Sequence, residues 1–213
     1  MNSDPLTDNS VLILRDAARS LEAAAGEIVL LIGEVGSGKS LWLKRLAGLA
    51  SFPPQFTATI AGKPPGKEIG AVQMLFDHQP PLWLGQNIGE ELSFGLKAMP
   101  SRHDLATALA TWGVADLESD RDVATLNRLQ SVRLRLAAME LSGPVIALLD
   151  NPSDALPEAD AVTLRDDIAA WVKRSNTTVV VASNRWHDWQ PAATQLWRVT
   201  AADFLPNREG RHE

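Results

Sequence analysis

Hydrophobic positions along this chain gather into short unbroken runs, with longer stretches of helical spacing between them. Residues 27–32, 69–76, 145–150 and 177–183 are apolar runs of strand length, and 195–199 is a further candidate. Runs that are mostly apolar or β-branched, rather than alternating, suit strands covered on both faces. Residues 11–14 and 57–63 read as shorter strands, the second ending in a turn, and Pro64-Pro65-Gly66 adds punctuation. Residues 41–50 combine helix formers with an apolar stripe, and 159–174 is amphipathic. From about 87 to 141 the pattern is helical, broken at Met99-Pro100-Ser101 and at Trp112-Gly113, with Ser101 placed to cap the helix after it. Strands alternating with helices predict an α/β fold built on a largely parallel sheet.

One junction in that pattern carries chemistry. Between the run 27–32 and the helix 41–50 stands Gly33-Glu34-Val35-Gly36-Ser37-Gly38-Lys39-Ser40, which fits G-x-x-x-x-G-K-[ST] at every fixed position. Glycines let the backbone turn tightly and bring its N–H groups onto phosphate oxygens. The helix that follows, with Leu41 in its first turn, adds unpaired N–H groups and the positive end of its dipole. Lys39 is placed to reach the β- and γ-phosphates, and the Ser40 hydroxyl to sit on Mg²⁺. The run at 145–150 ends in Asp150, expected on a strand beside the first and bringing its carboxylate to the magnesium site. These features predict binding of a nucleoside triphosphate.

Composition narrows the class. At 213 residues, with 45% hydrophobic and 22% charged residues, one domain or a domain with a small subdomain is expected. A net charge of −6 gives no footprint for nucleic acid or an anionic membrane. Without cysteines there are neither disulfides nor thiolate metal sites. No apolar run approaches the ~18 residues of a membrane span, and the polar, acidic start is unlike a signal sequence. A cytoplasmic protein or subunit is the expectation. His78, His103, His187 and His212 lie far apart and suggest surface or core roles. Asp120-Arg121-Asp122 reads as a solvated end, and Trp42, Trp112 and Trp171 as core.

Order and spacing over residues 11–199 resemble the nucleotide-binding subunits of ATP-binding cassette (ABC) transporters. Ile88-Gly89-Glu90-Glu91-Leu92-Ser93-Phe94-Gly95 is similar to a stretch of the energy-coupling-factor (cobalt, nickel, biotin) branch, and Leu148-Leu149-Asp150-Asn151-Pro152-Ser153-Asp154-Ala155-Leu156 to the family's "LLDEPTSAL". The resemblance implies a phosphate-loop NTPase core of RecA-like, ABC ATPase type. It has a mostly parallel sheet flanked by helices and a small inserted helical subdomain. The chain is then one domain, with 11–86 and 140–200 as the core and 87–139 as the subdomain. ATP and Mg²⁺ are the implied ligands. Gly33 to Leu41 would hold the nucleotide, with Ser40 and Asp150 at the metal. Two such subunits would sandwich ATP, each offering a signature loop to the other's site.

Several family positions differ in this chain. The "LSGGQ" signature falls on Leu126-Asn127-Arg128-Leu129-Gln130, with both glycines replaced. Asn151 stands where a glutamate polarises the attacking water, and Asn184 where a histidine meets the γ-phosphate. An amide can orient a water but cannot act as a carboxylate base. The metal-coordinating glutamine aligns with Asp77, or with Gln79 on a shift of two, and Pro157 replaces an aspartate. No aromatic residue precedes Trp42 to stack on adenine. The resemblance thus implies a degenerate transporter subunit that binds MgATP and hydrolyses it poorly alone. It would pair with itself or, better, with a more intact subunit. Restoring Asn151→Glu and Asn184→His is the corresponding test.

In the family the region of Pro80-Pro81-Leu82-Trp83-Leu84 receives a helix of the membrane subunit, and this apolar, proline-stiffened loop suits either such docking or simple packing, while Trp186-His187-Asp188-Trp189 would cover the nucleotide or meet a partner. A non-hydrolysing, nucleotide-responsive scaffold is the second reading. A small-molecule phosphate-loop kinase is the third, weakened because Arg133 and Arg135 are spaced as a helix face rather than as a lid.

Overall fold

A strand can bury every side chain only inside a sheet covered on both faces, and three of the apolar runs do so. The computed structural model describes residues 9–77 and 81–200, and the backbone of 204–206. In chain order its elements are β1 (Ser10–Arg15), β2 (Ser20–Ala24), β3 (Ile28–Ile32), α1 (Lys39–Leu46), β4 (Thr57–Ile60), β5 (Val72–Leu75), α2 (Ile88–Ser93) and α3 (Arg102–Thr111). A 3₁₀ turn (Val123–Thr125) leads to α4 (Arg128–Ser142), β6 (Ile146–Asp150), α5 (Glu158–Ser175), β7 (Thr178–Ala182), α6 (Trp186–Trp189), β8 (Gln195–Val199) and β9 (Phe204–Pro206). β3, β6 and β7 are buried at every residue.

The main sheet runs β5-β6-β7-β3-β8-β9, parallel except for the final antiparallel pair. The strand ending in Asp150 is therefore not beside β3 as expected, because β7 lies between them. The aspartate still reaches the phosphate loop, since α1 packs across the sheet against both β6 and β7. A second, three-stranded antiparallel sheet, β2-β1-β4, gathers the short N-terminal strands, a pairing the parallel expectation did not include.

Period-2 alternation divides the core between the two faces of the main sheet. Ile28, Leu30 and Ile32 face a cluster with helices α2–α5, while Val29 and Leu31 face one with α1 and the smaller sheet. Trp42, Trp112 and Trp171 are buried, as expected. The rings of Trp112 and Trp171 meet edge to face, centroids 5.7 Å apart, and fasten α3 to α5. Ser101 does cap α3, in a reciprocal box with Asp104. The first helix stops at Leu46 instead of running to 50, because Gly48 turns left-handed and packs directly on Gly66.

Candidate functional site

The parallel strands β3, β5, β6 and β7 end at one edge of the sheet, and the site is built from the loops leaving that edge. Gly38 caps α1 in a left-handed conformation, φ 96°, that a side chain would strain. A Cβ on Gly33 would stand 2.4 Å from the Val199 carbonyl, so this neck of the loop admits only glycine. At Gly36 and Gly38, by contrast, open space stands where a Cβ would be.

Lys39, 6% exposed, folds back into the loop. Its ammonium donates to the carbonyls of Gly33 at 2.8 Å and Glu34 at 3.1 Å. Burial lowers its pKa, and the charges of Asp154 and Asp150 oppose that shift. Ser40 Oγ donates to Asp150 Oδ1 at 3.0 Å. Burial raises the Asp150 pKa, the Ser40 hydrogen bond works the other way, and the Asp77 carboxylate adds to the rise. Ser37 Oγ is buried with no partner among the described residues. An ammonium, an open glycine turn, an orphaned hydroxyl and a hydroxyl–carboxylate pair suit a phosphate chain carrying a magnesium ion.

Around this centre the structure brings together residues from three strand ends. Asn151, left-handed at φ 48°, donates its amide to Asp77 Oδ2 at 2.9 Å. The backbone N–H of Asn184 donates to Asn151 Oδ1 at 3.2 Å and to Asp154 Oδ2 at 2.9 Å. Ser183 Oγ donates to the other Asp154 oxygen at 2.6 Å. Asp154 was not singled out from sequence. Its only signal there was a carboxylate three positions past Asn151, and its partners lie about thirty residues downstream. Gln79, the alternative to Asp77, lies outside the described residues, as does Pro80.

The stretch from Leu126 to Gln130 forms a helix start. Asn127 caps α4 in a reciprocal box with Gln130, which places Arg128 and Leu129 in the first helical turn. Pro157 caps α5. In the similar run at 88–95, Glu91 is buried and accepts from the N–H groups of Leu84 and Gly85. Trp83 beside them packs against the core, while Leu82 and Leu84 are 66% and 59% exposed.

The 186–189 stretch is more committed than its sequence suggested. Trp189 is buried and donates to Ser153 Oγ at 3.2 Å, Asp188 pairs with Arg185, and Trp186 stacks on His187. A hollow of about 390 Å³ flanks the loop on its β8 side, lined by Gly33, Val35, Ser37, Arg198 and Thr200 among others.

A family model described as ABC transporter matches residues 17–154. The chain is 31% identical over 195 residues to the sulfate/thiosulfate import ATP-binding protein CysA of Rhodopseudomonas palustris, across 86% of this chain and 54% of that protein. It is 30% identical over 181 residues to the aliphatic sulfonates import ATP-binding protein SsuB 1 of Paracoccus denitrificans, across 84% of this chain and 69% of that one. The chain thus spans about half the length of the first relative and about two thirds of the second. Among solved structures, cbiO1 from Clostridium perfringens, part of the ABC transporter complex cbiONQ, matches with a TM-score of 0.78. That match covers 92% of this chain and 87% of that one at 15% identity, a likeness of fold.

Proposed function

We propose a function from one premise: the chain belongs to the ABC transporter family, as an ATP-binding domain. It binds MgATP through Gly33 to Leu41 and drives or regulates transport through a membrane-embedded partner, with weak hydrolysis on its own. The observation that carries this is the contrast within one site. Lys39, Ser40 and Asp150 keep phosphate and metal chemistry in place, while amides stand at 151 and 184.

Lys39 exchanges its two loop carbonyls for phosphate oxygens when nucleotide enters, and the turn offers backbone N–H groups beside it. Ser40 and Asp150 would hold the Mg²⁺, with the Asp77 carboxylate close by. Such an ion would supply positive charge to offset that of the phosphates. Asn151 can orient a water but has no carboxylate to accept its proton.

The partner reading follows from the same residues. A second, more intact ATP-binding subunit would lend a glycine-rich signature to this chain's Lys39 site, while Leu126–Gln130 lends its partner a poorer one. Such a dimer is slow or asymmetric. A transmembrane subunit docks near Trp83, where Leu82 and Leu84 stand exposed, and holds the domain at the cytoplasmic face of a membrane. No helix among the described residues is itself long and apolar enough to cross one.

A non-hydrolysing, nucleotide-responsive scaffold is the second reading, favoured by the hydrogen bonds that engage both ends of the Asn151 amide. The kinase reading loses ground because Arg133 and Arg135 are spent on Gly113, Asp167 and Phe76. MgATP binding and turnover by the purified chain, beside Lys39→Ala, test the proposal. Lys39-dependent binding with negligible turnover supports it, and vigorous turnover by the chain alone sinks it. ATP-dependent self-association without turnover selects the scaffold.

A further inference from the structure

Two departures from the family pattern meet in one hydrogen bond. Asp77 and Asn151 leave adjacent parallel strands, β5 and β6, and the Asn151 amide donates to the Asp77 carboxylate at 2.9 Å. The resemblance places an amide on the first of these loops and a carboxylate on the second. At Asp77 and Asn151 this chain carries the reverse, with Gln79 two positions further along in sequence. Taken singly, each change removes a group that the site needs. Taken together, they keep one carboxylate and one amide at the same two strand ends.

The surroundings hold this arrangement in place. Arg135 on α4 donates to the carbonyl of Phe76, immediately before Asp77, and so fixes the backbone that carries the carboxylate. Asn151 uses both ends of its amide, donating to Asp77 and accepting from the backbone of Asn184. Its left-handed backbone is one that asparagine adopts more readily than most residues. Asp150 and Asp154 already bring negative charge to Lys39. A carboxylate at 151 would replace the amide donor beside the Asp77 carboxylate, and like charges there oppose each other.

We propose that Asp77 and Asn151 act as one transposed pair, in which Asp77 supplies the site's carboxylate on the β5 side and Asn151 is the positioning amide that holds it. This rests on the reading that the chain binds MgATP at Lys39. It also revises the restoration experiment: Asn151→Glu by itself repairs nothing and damages the site, whereas Asp77→Gln with Asn151→Glu returns both groups to the arrangement that the resemblance implies.

The test is a double-mutant cycle read by MgATP affinity and thermal stability, with turnover alongside. Asn151→Glu is expected to weaken MgATP binding at least tenfold and to lower Tm. The double variant should recover affinity to within about threefold of the unmodified protein, and its turnover alone should rise. Glutamate on the left-handed backbone at 151 costs the same in both variants, so their difference reports the pair. If Asn151→Glu fails to fold while the double variant folds, that is the same rescue in stronger form.

A parallel cycle with Asp77→Ala and Asn151→Ala adds no charge, and losses that depart from additivity by about fivefold or more are expected. Additive losses overturn the proposal. So does an Asn151→Glu variant that binds MgATP as tightly as the unmodified protein, or that gains turnover with Asp77 in place. Absence of Lys39-dependent binding in the unmodified chain would defeat the underlying reading instead, and the Lys39→Ala control separates the two.

Discussion

Ser40 Oγ donates a hydrogen bond to Asp150 Oδ1 at 3.0 Å, joining the first turn of α1 to the end of β6 across 110 positions of sequence. Asp150 is buried at the end of its strand, and Ser40 is half-buried beside it. In the proposed complex both turn toward Mg²⁺. Ser40→Ala should therefore lower affinity for MgATP by roughly 10–100-fold, the loss typical when a metal site is disturbed. Affinity for ATP in the presence of a chelator should hardly change. Calorimetric titration with and without Mg²⁺ checks both halves, and an equal loss in each would remove Ser40 from the metal.

The same pair sets a pH dependence. Burial raises the Asp150 pKa above its ordinary 3.8, so the folded chain holds this proton more tightly than the unfolded chain does. By linkage, the stability owed to this group is greatest below the unfolded value and is lost as pH rises through the raised folded one. Asp150→Asn removes that loss while leaving Ser40 an oxygen to donate to. Its Tm should exceed that of the unmodified protein at pH 8. The gap should close toward pH 4. Thermal melts at three pH values read it, and a gap independent of pH would contradict the assignment.

Away from the nucleotide site, Glu140 on α4 gathers two partners. Trp112 Nε1 donates to it at 2.7 Å from α3, and the Arg174 guanidinium donates through two nitrogens at 2.8 and 2.7 Å from α5. Glu140→Ala leaves the indole N–H of a fully buried tryptophan unpaired, at a cost of about 1–3 kcal/mol. Arg174→Ala removes a partly exposed partner and should cost less than about 1 kcal/mol. Urea denaturation of the two variants measures this asymmetry. Equal losses would mean that the ion pair, rather than the buried indole, fastens these helices.

What the sequence could announce was what it encodes locally. The phosphate loop was legible because strand, glycines and helix are contiguous and each position has its own chemical reason. β3, β6 and β7 were legible because burial on both faces leaves their interior positions apolar, with Thr178 and Asp150 only at strand ends. Strand order was not. Which neighbour β6 takes depends on how the crossovers pack, and β7 enters between β3 and β6 without any mark in its composition. The antiparallel sheet escaped for a related reason, since Leu12 and Leu14 pair with Ile60 and Ala58 from well beyond α1. Asn151 and Asp77 were each read as a loss, because their hydrogen bond spans 74 positions.

Asp154 is the clearest case of a site residue found only in three dimensions, and it yields the last prediction. Its carboxylate accepts from Ser183 Oγ at 2.6 Å and from the Asn184 N–H at 2.9 Å, clasping the loop after β7 to the loop after β6. Hydrogen bonds to a charged acceptor are the stronger kind, so Asp154→Ala should cost about 1.5–3 kcal/mol. Asp154→Asn should fall between the two, because one amide oxygen can still accept from Ser183 but its NH₂ group then faces the Asn184 N–H, donor against donor. The loop itself offers the decisive readout. Hydrogen exchange at Asn184 should quicken in Asp154→Ala, while amides in the middle of β7 keep their protection. Unchanged exchange at Asn184 would show that the loop is held by its Asn151 contact alone.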